Sequence, residues 1–309
     1  MVLDSRIDTL DRLGNRYRSH RIGLIRTPAQ FLANSSFIAR CRRVVTSFMP
    51  FLRLRSDVTD VVYTTWLLET KSVAELVPSG LSLWERNGLT PFTILTYRHG
   101  NFGPSFLGPF RRIFRSPFQS NWRLYLESPP ENTPQDASTV LFLKNSMSSH
   151  LYMLGTRLLS DVLATHLPAR FSHQKEKDRY ITIIESRGGS SPNLNSVTQS
   201  IDEKILDTGF SEMFGSWESA VEFLVIQDAA ISYTDCPSVL AFSEIELPID
   251  LSTVKPLKLI EEESKCPFIE RFNQYGGTLS FVIPELDFNA ISECLLKPNH
   301  EEYIRESSQ

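Results

Sequence analysis

The spacing of apolar residues changes several times along this chain, and each change predicts an element. Ile7, Leu10, Leu13 and Tyr17 recur at three- and four-residue steps, which predicts an amphipathic helix over residues 4–20. Thr27-Pro28 places a proline at the first helical position of further helical text running to Met49, where Pro50 ends it. From Val58 the pattern is that of strands. Residues 58–67 are rich in β-branched and aromatic side chains. Residues 81–86 and 89–97 flank Asn87-Gly88, a dipeptide suited to the positive φ angles of a two-residue hairpin turn. Pro91 then belongs at an edge or a bulge, since it has no N–H to give a ladder. Residues 121–127, 180–185, 239–247 and 278–283 are further expected strands, and Ser216 caps a helix that begins at Trp217.

At the centre lies residues 138–168. Ser138 to Asn145 is strand-like, after which helical spacing predicts a helix over residues 148–166. Leu151, Leu154, Leu158 and Val162 would share one face, with Ser148 or Ser149 capping the first turn. Lys144 closes the strand just before that helix. Proximity to the positive helix end and to apolar neighbours favours the neutral, nucleophilic amine; a solvated charge at a strand end is the plain alternative. Residues 99–120 combine Gly and Pro with Phe102, Phe106, Phe110, Phe114 and Phe118. So apolar a loop is expected either to cover a cavity mouth as a lid, phenylalanines inward, or to pack as a satellite cluster on the sheet.

Composition narrows the class. At 309 residues, 41% apolar and 22% charged, the chain can bury a substantial core. Cys41, Cys236, Cys266 and Cys294 lie far apart, as expected of reduced thiols in a cytoplasmic setting, and the histidines show no metal-ligand spacing. The net charge of −4 hides an asymmetry: residues 1–57 hold eleven Arg against four Asp, a balance of +7, which leaves −11 for the rest. The expectation is a basic helical arm, residues 1–57, packed on an acidic β-rich body, residues 58–309. The arm lacks interleaved stacking aromatics and a reading helix, so no nucleic-acid partner is expected. The apolar run near residues 37–54 is cut by four Arg, so stable membrane insertion is not expected either. Phosphate-cradling glycines, HExxH and GxSxG are absent, leaving no cofactor or metal to expect.

One resemblance adds to this. Trp66-Leu67-Leu68 with residues 73–81, the strand Asn121-Trp122-Arg123-Leu124-Tyr125, Val140-Leu141-Phe142-Leu143, and Gly215 to Leu224 together resemble an uncharacterised family of the acetoacetate decarboxylase-like superfamily. The resemblance covers roughly residues 58–258. It implies an α+β, mainly β fold: an antiparallel β-barrel or half-barrel around an apolar cavity, with peripheral helices. In the decarboxylases a lysine of a Phe-Pro-Lys-Lys segment forms a Schiff base. Phe142-Leu143-Lys144-Asn145 is similar, so the resemblance makes Lys144 the nucleophile, but Asn145 replaces the second lysine and no carboxylate stands near Asn121 to Arg123. The expected catalytic set is Lys144, Arg123, Asn121 and Tyr125, with Trp66, Tyr97, Phe102, Phe106 and Phe142 against the substrate. The functional expectation is a cofactor-independent enzyme that folds a sizeable apolar, carbonyl-bearing metabolite for cyclisation, isomerisation or a pericyclic step. Lys144 Schiff-base chemistry and non-catalytic binding of a small ligand are the alternatives.

Overall fold

The computed structural model describes residues 15–20, 26–236 and 239–296. In chain order its main elements begin with helices α1 (Arg26–Ala33) and α2 (Ser36–Thr46), then strands β1 (Leu54–Glu69), β2 (Leu89–Pro104), β3 (Phe118–Tyr125) and β4 (Thr139–Met147). Helix α3 (His150–Leu159) precedes β5 (Thr165–His166), β6 (Arg170–Glu176), β7 (Arg179–Glu185) and β8 (Leu194–Ser200). Helices α4 (Thr208–Phe214) and α5 (Trp217–Val225) precede β9 (Ala229–Tyr233), β10 (Leu240–Glu246), β11 (Lys255–Leu259), β12 (Gln274–Ala290) and β13 (Cys294–Leu296).

All of these strands join one mainly β sheet, ordered β13-β10-β9-β4-β3-β2-β1-β12-β11-β8-β7-β6, with β5 beside β4. β10 also pairs with β12 through Ile245–Ala290 and Glu246–Asn289, which closes β1, β2, β3, β4, β9, β10 and β12 into a seven-stranded ring. Closure rests on these strand ends alone, so the ring is uneven. It is also mixed: β4 runs parallel to β9 and to β5, where antiparallel pairing alone was expected. The long excursion between β4 and β9, through α3 to α5, supplies the crossover that a parallel pair needs.

Alternation gives the ring two apolar faces. The inner face holds residues from all seven strands, among them Tyr63, Leu95, Tyr125, Val140, Ala230, Ala241 and Phe281, packed with Ala220, Val221, Leu224 and Val225 of α5. Ser216 caps α5 by accepting from the Ser219 N–H, as its sequence predicts, for about 1 kcal/mol. Unlike the helices expected at the periphery, α5 packs into the ring. The outer face carries Trp66, Phe92, Trp122, Leu124 and Leu141 against Ile184, Leu194 and Leu259 of the β11-β8-β7 extension. Burying side chains of this size contributes about 1.5–3 kcal/mol each.

Several sequence expectations shift. Asn87 (φ 56°) and Gly88 (φ 78°) do make the two-residue turn, but only an isolated Arg86–Leu89 bridge lies ahead of β2, whose partners are β1 and β3. Pro91 faces Leu67 of β1, one residue beyond the point where pairing with β3 stops, so its missing N–H costs that ladder nothing. The helix expected to reach His166 stops at Leu159 because Thr165–His166 pair with β4. Its buried positions are Met153 and Thr156, while Leu151 is exposed, and Ser148 accepts from the Phe118 N–H instead of capping. The arm breaks at Asn34, with Ser35 capping α2. Residues 15–20 are not helical, and the remainder of the helix expected over 4–20 lies outside the described residues.

Candidate functional site

β3 and β4 carry the residues that the sequence singles out, and a bulge decides which way they point. Asn121 pairs with Asn145 and Trp122 with Lys144, but Arg123 pairs with Phe142, so Leu143 is the extra residue. Paired residues share a face, and an extra residue reverses parity beyond it. Lys144 therefore shares the outer face with Trp122, and Asn145 takes the inward position that strict alternation from Phe142 would have assigned to the lysine.

The inner face is polar along one line. Asn121 donates to the Tyr97 hydroxyl (3.2 Å) and Gln119 donates to Asn121 (2.8 Å). Gln119 Oε1 lies 2.7 Å from His99 Nε2, and Ser56 Oγ lies 2.8 Å from His99 Nδ1. Both ring nitrogens of His99 are therefore engaged, Nε2 by Gln119 and Nδ1 by Ser56. Burial holds His99 neutral and pulls its pKa down to about 4, against the opposing effect of the Gln119 bond. Burial likewise raises the Tyr97 phenol. Asn145 is buried beside this line, and its Oδ1 has no partner among the described residues.

Arg123 is committed elsewhere. Its Nη2 donates to Leu224 O at 2.6 Å and its Nε to the Tyr125 hydroxyl at 3.3 Å, while the guanidinium lies 5.4 Å from the Tyr63 ring centroid. Tyr125 also donates to Leu224 O, at 3.1 Å. Leu224 belongs to the last turn of α5, whose carbonyls lack intrahelical donors and form the negative helix end. Arg123 and Tyr125 thus cap α5 from inside the ring.

Lys144 belongs to a different setting. With Arg16, Tyr17, Arg18, Gln30, Gly189 and Ser190 it lines a recess of about 300 Å³. The arm is stitched there by backbone and side chains: Ser190 N donates to Arg18 O (2.9 Å), Arg18 N to Ser190 Oγ (2.8 Å), and Asn34 holds Tyr17 through both its carbonyl and its N–H. Arg157 donates to Asn15 O and Thr165 O, with its guanidinium 5.5 Å from the Tyr17 ring. His166 Nδ1 lies 2.6 Å from Ser190 Oγ. Arg16 and Gln30 also line an adjoining recess of about 550 Å³ whose apolar walls are Phe31 and Phe37. Cations predominate in this region.

The structure thus brings Arg123, Asn121, Tyr125, Tyr97 and Phe142 together on the inner face and places Lys144 and Trp66 on the outer one. Phe102 is buried, stacked on His99 at 4.2 Å and next to Tyr152. Phe106 is 75% exposed. The expected lid is mostly absent: residues up to Pro104 extend β2, residues from Phe118 form β3, and Phe106 and Phe110 on the short 3-10 segment between them point to solvent. That segment is tied down by Arg111, which donates to Arg55 O, Asn101 O and Asp57. Sequence reasoning missed His99 and Gln119, although polar residues at every second position (97, 99; 119, 121, 123) in otherwise apolar strands are a signal of an inward polar line. Nothing local pointed to Arg16, Arg18 or Ser190, which meet Lys144 only through tertiary folding. Among the described residues no three His, Cys, Asp or Glu side chains group as a metal site, and no helix is long and apolar enough to cross a membrane.

Residues 55–220, just over half of the chain, match a family described as an uncharacterized conserved protein, DUF2071. The chain belongs to the DUF2071 family. No curated protein matches the sequence. The fold is similar to that of the enduracididine biosynthesis enzyme MppR with HEPES buffer bound (TM-score 0.52, 8% identity, covering 81% of this chain and 89% of that one). A second structure of MppR, complexed with pyruvate, gives a TM-score of 0.51 at 9% identity, covering 80% and 91%. Acetoacetate decarboxylase from Legionella pneumophila follows at 0.49 and 10% identity, covering 78% and 86%. At such identities the likeness is one of fold. What the chain shares with MppR is therefore the fold, and what it shares with DUF2071 is the family.

Proposed function

We propose that this protein is a cofactor-independent enzyme whose working group is Lys144, acting on a carbonyl compound that carries a carboxylate and an apolar remainder. The observation behind this reading is the company of Lys144: Arg16 and Arg18 line the same recess, and Phe31 and Phe37 line the adjoining one. Guanidinium groups recognise carboxylates through paired N–H donors, so they would hold the acid end of a substrate beside the amine. The Phe-lined recess would take the apolar end.

On a β-keto acid the chemistry balances without a cofactor. The Lys144 Nζ lone pair adds to the ketone carbon, and the ketone oxygen leaves as water after two proton transfers, giving a protonated imine. The carboxylate departs as CO₂, and the pair from the broken C–C bond forms an enamine. Protonation at carbon and return of water release the shortened ketone and the free amine. Nothing is oxidised or reduced. A cyclisation, isomerisation or Diels-Alder-type step directed by shape is the second reading. It is favoured by the size of the recess beside Phe31 and Phe37, since orientation alone can remove several kcal/mol of barrier.

Borohydride reduction in the presence of acetoacetate or pyruvate tests the first reading. The expected result is a reduced adduct mapped to Lys144 in the parent and absent from Lys144→Ala. Labelling of Lys144 no greater than that of other lysines would overturn it, and would leave shape-directed catalysis or simple ligand binding to account for the recess.

A further inference from the structure

Exposed apolar side chains are concentrated in this molecule. Apart from Ile205, Ile226 and Tyr275, every large hydrophobic residue exposed among the described residues lies in three segments. The first holds α1, α2 and the residues that follow them, exposing Phe31, Phe37, Val44, Val45, Phe48 and Met49. The second is the 3-10 segment with Phe106, Phe110 and Ile113. The third is α3, with Leu151 and Leu159. Exposures of 84% at Phe48, 78% at Ile113 and 74% at Phe110 mean that these side chains touch little of the described protein. A monomer rarely leaves so much apolar surface together without a use for it.

The segments are neighbours. Ser105 N donates to Arg53 O, joining the second to the end of the first. The Tyr152 hydroxyl of α3 donates to Phe102 O and Arg115 O, at the two ends of the 3-10 segment. α3 also packs against both α1 and α2.

Charge identifies the occupant. Residues 12–56, 86–126 and 137–160, which contain all three segments, include no Asp or Glu. Arg40, Arg53, Arg112 and Arg115 are exposed among the apolar residues. Arg42 and Arg43 are taken by Asp161, and Arg43 also by Asp235, on the body side. A second copy of the chain would set arginine against arginine across a two-fold axis, which is not self-complementary. Nucleic acid would match the charge but not the valine, isoleucine, leucine and methionine, which offer no ring for a base to stack on. An anionic lipid surface matches both: aliphatic and phenylalanine side chains enter the acyl boundary while arginines meet the headgroups.

We propose that this face docks on anionic membranes, lying in the interface without spanning it. The recess beside Phe31 and Phe37 would then open next to the lipid. The proposal does not depend on what Lys144 does.

Vesicle flotation of the full chain tests it. Expected is co-flotation with phosphatidylcholine vesicles containing phosphatidylserine, little with phosphatidylcholine alone, and loss of binding at high salt. Phe48→Glu and Phe110→Glu should each lower the bound fraction at least about tenfold. Both positions are exposed, so circular dichroism and melting should match the parent. Failure to float with phosphatidylserine, equal flotation on both vesicle types, or equal flotation of parent and variants would each overturn the proposal. So would a concentration-dependent dimer that both variants abolish, which would assign the face to a second copy.

Discussion

The two faces of β3 and β4 present polar groups of similar kind in opposite states. On the inner face Tyr97, Gln119, Asn121, Arg123 and Tyr125 are buried, and their hydrogen bonds go to one another, to Thr93, to His99 and to Leu224. On the outer face Lys144 is half-buried at a recess built from the arm, with exposed Arg16 and Arg18 around it. Groups that look catalytic by type can be consumed by the fold when they sit on the sealed side of a strand. One extra residue, Leu143, sets which group falls on which side. The two states predict different consequences of substitution: loss of folding stability on the inside and, on the proposed role of Lys144, loss of chemistry on the outside.

The largest expected effect belongs to Arg123. Arg123→Ala removes a buried donor from the end of α5 and opens a cavity between Tyr63 and Tyr125, so unfolding stability should fall by about 3–5 kcal/mol. A denaturant titration reads this as a lowered midpoint with an unchanged slope. A loss below about 1 kcal/mol, joined to lost borohydride labelling, would reverse the comparison and return Arg123 to the substrate.

His99 gives the next effect, through pH. Burial lowers its folded pKa from 6.5 to about 4. Between those values the unfolded chain takes up a proton that the folded chain refuses, so the stabilisation is complete above pH 6.5 and is lost as pH falls towards 4. The slope is at most about 1.4 kcal/mol per pH unit, and the total about 3 kcal/mol. His99→Gln should flatten stability against pH across this window relative to the parent. Part of the slope should persist, because burial also lowers His173, which is held by Thr182 and Asp60 O. Parallel curves for parent and variant would show that His99 is already charged within the sealed line.

Most of the fold was legible because it depends on local pattern. Strand texture located β1, β3, β4, β7, β10 and β12, and Asn87-Gly88 located its turn, since positive φ at two successive residues is a demand that few side chains meet. What stayed hidden depends on partners distant in sequence. The Leu143 bulge adds no apolar or polar signal of its own, yet it moves Lys144 across the sheet. The Gly- and Pro-rich text at 99–120 reads as a loop, whereas Gly100 and Gly103 sit inside a strand: a Cβ on Gly100 would lie 2.6 Å from Asp57 O, and one on Gly103 2.9 Å from the Phe114 ring. Glycine there permits close approach and is not a turn. For the site, the inward line was half visible in Tyr97, Asn121, Arg123 and Tyr125, whereas the cationic company of Lys144 comes from the arm.

The smallest expected effect probes how that company is held. Gly189 lies where the arm crosses the loop after β7, and a Cβ there would stand 3.1 Å from Arg18 O, 3.1 Å from Ser186 O and 3.2 Å from His20 N. All three are backbone atoms, so no rotamer change relieves the contact. Gly189→Ala should therefore push the arm outward and weaken the Ser190 N to Arg18 O and Arg18 N to Ser190 Oγ bonds, at about 1–2 kcal/mol. The sealed inner line lies on the opposite face of β3 and β4 from this contact, so the pH slope assigned to His99 should not change. The recess should, because Arg16, Tyr17 and Arg18 reach Lys144 only through this stretch. Proteolysis within the arm should quicken, and borohydride labelling of Lys144 should fall several-fold, while the global unfolding midpoint moves little. Faster proteolysis with undiminished labelling would separate the arm from the chemistry and leave Lys144 to act without its arginines.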